Sequence, residues 1–333
     1  MTRTVKKRTF FPHFLVAVLC SIAATQALAS TNSPSVHDWL ARMVEAVHTF
    51  NYEGTFVYLH DNHMETMKVI HAVRGDNEYE RLISLNGTAR EVIRDNASVT
   101  CVAPDSKSVS VGKRLLGQGF RAIFSADTQE LTDNYEFRVL GESRVASRKA
   151  KVFAIIPKDN FRYGYRIHLD TETALPLKTD MLDSQGEAVS QLMFTSLRVD
   201  NSIESGTESL LEGKEHYSWQ QERPTRKLAD KESQWYFGEQ LPKGFKKFYH
   251  SRRPAPSGQP YTDHLVLSDG LATLSIYIED GAAKNLLSGT SRMGAVNAFG
   301  IQISGFHATV VGEVPAVTVE VIAKSLKYSE SRQ

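Results

Sequence analysis

The sequence predicts an α+β protein: one large antiparallel sheet with few helices, followed by a smaller α+β module. Three observations carry this. From Tyr52 to Val199, apolar residues alternate with period two through successive segments, and the connections are short and rich in Gly, Asp and Asn, as hairpins require. The stretch 201–232 is polar, charged and without a clear period, which reads as a linker. Beyond Ser233 come further strands and a final helix opened by Pro315.

The elements follow in order. Residues 1–29 have a positive start (Arg3, Lys6, Lys7, Arg8), an apolar run from Phe14 to Ala24, and Ala27-Leu28-Ala29 as a small-x-small cleavage site. This is the pattern of a secretory signal peptide. The apolar run is short for a membrane span of ~20 residues, and Val18 and Leu19 are too bulky for a lipobox before Cys20. Cleavage removes four positive charges and no negative ones, taking the net charge of +1 to −3. A mildly acidic chain argues against a general nucleic-acid binder. Cys101 is then the one remaining cysteine, so no internal disulfide is expected and packing must supply the stability. The expected location is the periplasm.

Residues 33–50 read as a helix, with Ser33 or Ser35 as cap, Pro34 at its start, and Val36, Leu40, Met43, Val44 and Val47 as a core-facing stripe. Strands are expected at 52–60, 64–73, 78–85, 89–94, 97–103, 107–112, 134–141, 144–156, 162–170, 175–184 and 187–199. The 114–131 stretch breaks the alternation and is expected to hold a helix. A sheet this long tends to curl or close partly. In the second module, YTDHLVLSDGLATLSIYIED reads as strand, Ser268-Asp269-Gly270 turn and strand; VNAFGIQIS and HATVVGEV add two more. In the final helix Val317, Val321 and Leu326 are expected to face the sheet.

No catalytic motif is present: there is no G-x-S-x-G, H-E-x-x-H, G-x-x-x-x-G-K-[ST] or C-x-x-C. No catalytic residue, cofactor or metal is therefore assigned, and an enzyme is not expected. The best metal candidate is HDNHME, His60 to Glu65, but a short turn supplies little of the outer shell that metal ligands need. Cys101 alternates with Val99 and reads as a structural thiol. The one concentrated basic run lies between Lys243 and Arg253, with Lys246, Lys247 and Arg252 interleaved with Phe245, Phe248 and Tyr249. In an exported protein such a loop suits lipid phosphates or an acidic partner segment.

Several stretches together resemble the MucB/RseB family of periplasmic sigma-E regulators. They are YEGTFVYLH at 52–60, RVASRKAKVFAIIPKDNFRYGYRIHLD at 144–170, LPLKTDMLDSQGEAVSQLMFTSL at 175–197, HLVLSDGLATLSIYIE at 264–279, RMGAVNAFG at 292–300 and TVVGEVPAVTVEVIAKSL at 309–326. The resemblance implies a half-open antiparallel β-barrel with helices, like the lipoprotein carriers LolA and LolB, over residues 30–200. It implies a linker at 201–232 and a partner-binding α+β domain at 233–333. It also implies binding of the periplasmic region of an RseA/MucA-like anti-sigma factor, which is shielded from regulated proteolysis so that sigma-E stays inactive. Lipid or lipopolysaccharide would release it, and self-association into a homo-oligomer is a family trait. The competing function is a periplasmic lipid or lipoprotein carrier of LolA/LolB type; the extra module argues against it.

On this reading, alternation assigns Phe56, Tyr58, Val69, Leu82, Phe137, Phe153, Ile155, Ile167, Leu182 and Met193 to the lipid cavity. Lys246, Lys247, Arg252, Arg253 and Arg292 are assigned to the partner face.

Overall fold

The first helix begins where Ser35 and Asp38 satisfy each other's amides. The Ser35 hydroxyl accepts from the Asp38 N–H at 3.2 Å, and the Asp38 carboxylate accepts from the Ser35 N–H at 2.8 Å. This capping box starts α1 (Val36–Thr49), which buries Trp39, Leu40, Met43, Ala46 and Val47. The computed structural model describes residues 34–61, 63–113, 130–204, 214–221, 226–229, 233–253, 261–280 and 286–330, with Thr2 and Gly206. The expected signal peptide, apart from Thr2, and most of the 114–131 stretch lie outside them. Glu130–Asp133 is a 3-10 turn.

The large sheet contains β1 (Tyr52–His60), β2 (His63–Arg74), β3 (Asn77–Ser84), β4 (Glu91–Arg94), β5 (Ser98–Ala103) and β6 (Ser108–Lys113). It continues with β7 (Tyr135–Val145), β8 (Arg148–Pro157), β9 (Gly164–Asp170), β10 (Pro176–Leu182), β11 (Ala188–Val199) and β12 (Ser218–Gln221). The order is β12-β6-β5-β4-β3-β2-β1-β11-β10-β9-β8-β7, so β1 sits in the middle, paired to both β2 and β11. Neighbours are antiparallel except β12, which runs parallel to β6. Among the described strands no pairing closes the sheet into a barrel; β7 and β12 are its edges. The sheet does curl. β7 returns to within 8 Å of β11, four strands away, where a flat sheet would hold them about 19 Å apart. Bulges at Thr55/Phe56, Val139/Gly141 and Met181/Leu182 assist the bend.

The segment expected as one strand at 144–156 is cut by a two-residue hairpin loop. Ala146 and Ser147 have φ of 48° and 64°, as a type I′ turn requires. Neither is Gly, Asn or Asp, so the usual signal for that turn is missing.

The second sheet is built from β13 (Arg226–Lys227), β15 (Lys246–Arg253), β16 (Thr262–Ser268), β17 (Thr273–Asp280), β18 (Gly289–Met293), β19 (Val296–Ile303) and β20 (Phe306–Gly312). Its order is β13-β15-β16-β17-β20-β19-β18. β14 (Trp235–Phe237) pairs separately with β21 (Leu326–Tyr328). The intervening α2 (Ala316–Ser325) buries Val319, Ile322 and Ala323 against Leu265, Leu267, Ile276 and Val310. Val317, expected to face the sheet, is exposed. The helix starts at Ala316, so its apolar stripe runs through 319, 322 and 323 instead. The polar 201–232 stretch supplies β12 to the large sheet and β13 to the second.

From Pro34 onward the chain is one compact unit. The seam centres on the 158–163 connection between β8 and β9. There the Arg162 guanidinium and the Asp269 carboxylate pair with both side chains at 0% exposure. Arg162 also donates to Asp159 at 3.0 Å and to the Lys243 carbonyl at 2.7 Å, and lies over the Tyr135 and Phe245 rings. The Tyr135 hydroxyl donates to Asp269 at 2.9 Å. Thr318 donates to the Phe161 carbonyl at 2.7 Å, and the Asn297 amide to the Tyr163 hydroxyl at 3.1 Å. Leu271 and Ala295, from the second module, are buried within the core of the large sheet.

Candidate functional site

The curled face of the large sheet carries two cross-strand rows. Tyr58, Leu192, Thr179, Ile167 and Phe153 form one. Ser190, Met181, Tyr165, Ile155 and Phe137 form the next. The rows exist because β-strand side chains alternate faces and the ladders hold these residues opposite one another. The two ends of the rows differ. Toward β7–β9, α1 roofs the sheet: the Trp39 and Phe153 rings sit 5.8 Å apart, and Phe153, Ile155 and Ile167 are core. Toward β1, β10 and β11 the roof is incomplete, leaving a cavity of about 260 Å³. Phe56, Tyr58, Met67, Tyr165, Thr179, Met181, Ser190, Leu192 and Glu313 line it.

A second cavity, about 290 Å³, adjoins it across Tyr165 and Glu313. Its other walls are Leu271 to Ser275, Tyr277, Val296, Val311 and Gly312, all from the second module. Glu313 follows β20 and is the one charged residue lining either cavity. Burial raises its carboxyl above the usual range, with the nearby charge of His60 acting in the opposite sense. Burial likewise raises the Tyr58 phenol, against a hydrogen bond to Ser190, and pushes Tyr165 well above the ordinary phenol range. The two phenols are neutral hydrogen-bonding groups at neutral pH. The arrangement has no nucleophile–base pair; it can enclose apolar matter beside a few hydroxyls and one carboxylate.

Of the residues assigned to the cavity by alternation, Phe56 and Tyr58 line it. Phe153, Ile155, Ile167 and Val69 are buried in the core, with Leu82 and Phe137 packed against it. Met193 is a correction: it pairs with Val57 and Lys178 on the opposite face and is exposed. Leu182 follows a bulge that shifts its register, and is half-buried outside these cavities. Alternation missed Met67, Tyr165, Thr179, Met181, Ser190 and Leu192. Polar Thr179 and Ser190 do not look like lining, and the β11 register was displaced by one residue. Glu313 was invisible because its position depends on the second sheet docking against the first.

The basic segment expected as a loop is strand β15, and its charges do not gather into one patch. Arg252 is held by Asp263, Nε to Oδ1 at 2.7 Å and an Nη to Oδ2 at 2.8 Å. Lys246 is exposed and Lys247 half-buried; the Arg253 side chain lies outside the described residues. Arg292 is exposed on β18, its Nε donating to the Gly294 carbonyl. β18 is the far edge of the sheet, five strands from β15, or about 24 Å. At the HDNHME turn, the best metal candidate in the sequence, His60 faces Glu65 at 3.7 Å and its ring is tilted against His63, ring centres 5.8 Å apart. Among the described residues no group of three His, Cys, Asp or Glu is placed to hold a metal. Cys101 is half-buried on β5.

Burial would raise the Asp263 carboxyl, but hydrogen bonds from Arg252 and His250 overcome it and hold the group at about 2. Its ionised form therefore contributes roughly 2 kcal/mol. That contribution is present above the unfolded value near 4 and is lost as pH falls through about 2. The gap in melting temperature between wild type and Asp263→Asn is expected to narrow as pH is lowered from about 5 to about 2. Arg252→Glu is expected to lower the melting temperature at pH 7, whereas Lys246→Glu leaves it unchanged. Equal melting of the two variants would contradict this ion pair.

Comparison with known proteins gives a consistent result over both modules. The MucB/RseB N-terminal domain model matches residues 35–211, and the MucB/RseB C-terminal domain model matches residues 229–327. The chain is 30% identical to the sigma factor AlgU regulatory protein MucB of Pseudomonas aeruginosa, covering 95% of this chain and 98% of that one. It is 25% identical to the sigma-E factor regulatory protein RseB of Escherichia coli, covering 94% and 98%. Among solved structures, the Pseudomonas aeruginosa MucA/MucB complex matches with a TM-score of 0.67 at 30% identity, over 89% of this chain and 99% of that one. Two family models matched in order, and a likeness running nearly end to end, place the chain in the MucB/RseB family.

Proposed function

We propose that this chain works in the periplasm as a regulator of a sigma-E-type stress response. It binds the periplasmic region of a membrane anti-sigma factor, shields that region from regulated proteolysis, and lets go when lipid or lipopolysaccharide binds. The observation that supports the partner most strongly is the likeness across both modules to MucB, a protein solved in complex with MucA(peri). The lipid limb rests on the cavity beside Phe56, Tyr58, Met67, Met181 and Leu192, whose walls suit an acyl chain. Each methylene buried there is worth about 0.8 kcal/mol, so a twelve-carbon chain supplies on the order of 10 kcal/mol before ordering costs. A lipid displaces the partner only by preferring the partner-free form; equal affinity for both forms shifts nothing.

The test is calorimetric titration of residues 30–333 into the periplasmic region of the cognate anti-sigma factor, with and without lipopolysaccharide. Tight binding that lipopolysaccharide weakens is the expected result. Tight binding indifferent to lipopolysaccharide removes the lipid limb. No binding overturns the regulator, and transfer of lipid between vesicles then tests a carrier.

A further inference from the structure

Glu313 is an unusual feature of the two joined cavities. It lines both and is their one charged residue. It is half-buried, and it makes no hydrogen bond or ion pair with any described side chain. Tyr58 and Tyr165 line the first cavity with it, and its charge acts on both phenols. Desolvating a carboxylate without a partner is costly, and folding alone gains nothing from leaving it so. Such a group costs less when a ligand brings the opposite charge.

The geometry points to a counter-ion site: Glu313 receives a cation carried on an apolar stem, namely a lysine or arginine side chain of the bound partner segment. The walls supply both halves of that fit. Phe56, Met67 and Leu192 cover a methylene stem, and the Tyr58 and Ser190 hydroxyls lie beside the head. A phospholipid headgroup fits less well. No Lys or Arg lines either cavity, so its phosphate would meet Glu313 without a compensating cation. The inference rests on the partner binding proposed above and adds the chemistry that binding uses.

Calorimetry with the full mature chain and the same anti-sigma region tests it, comparing wild type with Glu313→Gln. The expected result is at least a tenfold loss of affinity in E313Q, with a melting temperature no lower than wild type, because Gln removes a desolvated charge. Replacing the segment's basic residues by Met one at a time should reproduce the loss at one position, and that substitution should add nothing further to E313Q. Affinity within twofold of wild type, or losses that add to E313Q at every position, overturns the proposal. Should wild type fail to bind the region at all, the partner reading falls, and n-hexylammonium against n-hexanol decides the site by itself. Preference for the ammonium, abolished in E313Q, supports the counter-ion site; equal binding of the two, or none, overturns it.

Discussion

Asp269→Ala is expected to lower the unfolding free energy by about 3–5 kcal/mol, the cost of removing one partner of a buried ion pair together with the acceptor of the Leu271 and Ala272 amides. Arg162 is fully buried, and after the substitution its guanidinium keeps only Asp159, the Lys243 carbonyl and two aromatic faces. The reverse change, Arg162→Met, should cost less. Asp269 would still accept from the Tyr135 hydroxyl at 2.9 Å and from the Leu271 and Ala272 amides at 2.9 and 2.7 Å. Denaturant unfolding of both single variants and the double variant measures the coupling directly. A loss below about 1 kcal/mol for Asp269→Ala would mean that the seam does not hold the modules together. The matter bears on function because Leu271 to Ser275, which follow Asp269 in the chain, wall the second cavity. A slackened seam alters the cavities without touching the lining residues of the first.

Phe153→Ala is expected to cost about 3–5 kcal/mol, with little change in the way acyl chains bind. The side chain is 0% exposed, packs on Trp39, and stands in the same cross-strand row as Tyr58. Only its position under α1 separates core from lining. Tyr58→Leu, at the unroofed end of that row, should lose about 1 kcal/mol or less, chiefly its bond to Ser190, and should change affinity for a fluorescent fatty acid. If instead Phe153→Ala folds normally and fatty-acid affinity shifts, the cavity runs beneath the helix and the division between core and lining is wrong.

Much of the fold was legible because the strands have one buried and one wetter face. Alternation in YEGTFVYLH, METMKVIHAV and AVSQLMFTSL is a direct record of that. The capping pair Ser35 and Asp38 and the proline before α2 are local too, and α1 and α2 start beside them. Where local signals were absent the reading slipped. The Ala146-Ser147 turn lacks the residues that favour positive φ, and the lysines of β15 mask its strand pattern. Facing was lost wherever a bulge intervened, as at Leu182, or where two adjacent residues were both apolar, as at Leu192 and Met193.

The sequence by itself determined the two-module order, the strand-rich character of both and the absence of known catalytic motifs, since these depend on neighbours within a few residues. It could not determine which apolar rows are roofed, because the roof is α1, more than 100 residues from Phe153 in the chain. Nor could it determine that Arg162 meets Asp269, that β15 and β18 lie at opposite sides of one sheet, or that Glu313 closes a cavity floored by β1, β10 and β11. Those are long-range consequences of strand order and of docking the second sheet against the curled first one. Burial and charge at each site are set by the residues brought across the seam, and only the tertiary structure records which residues those are.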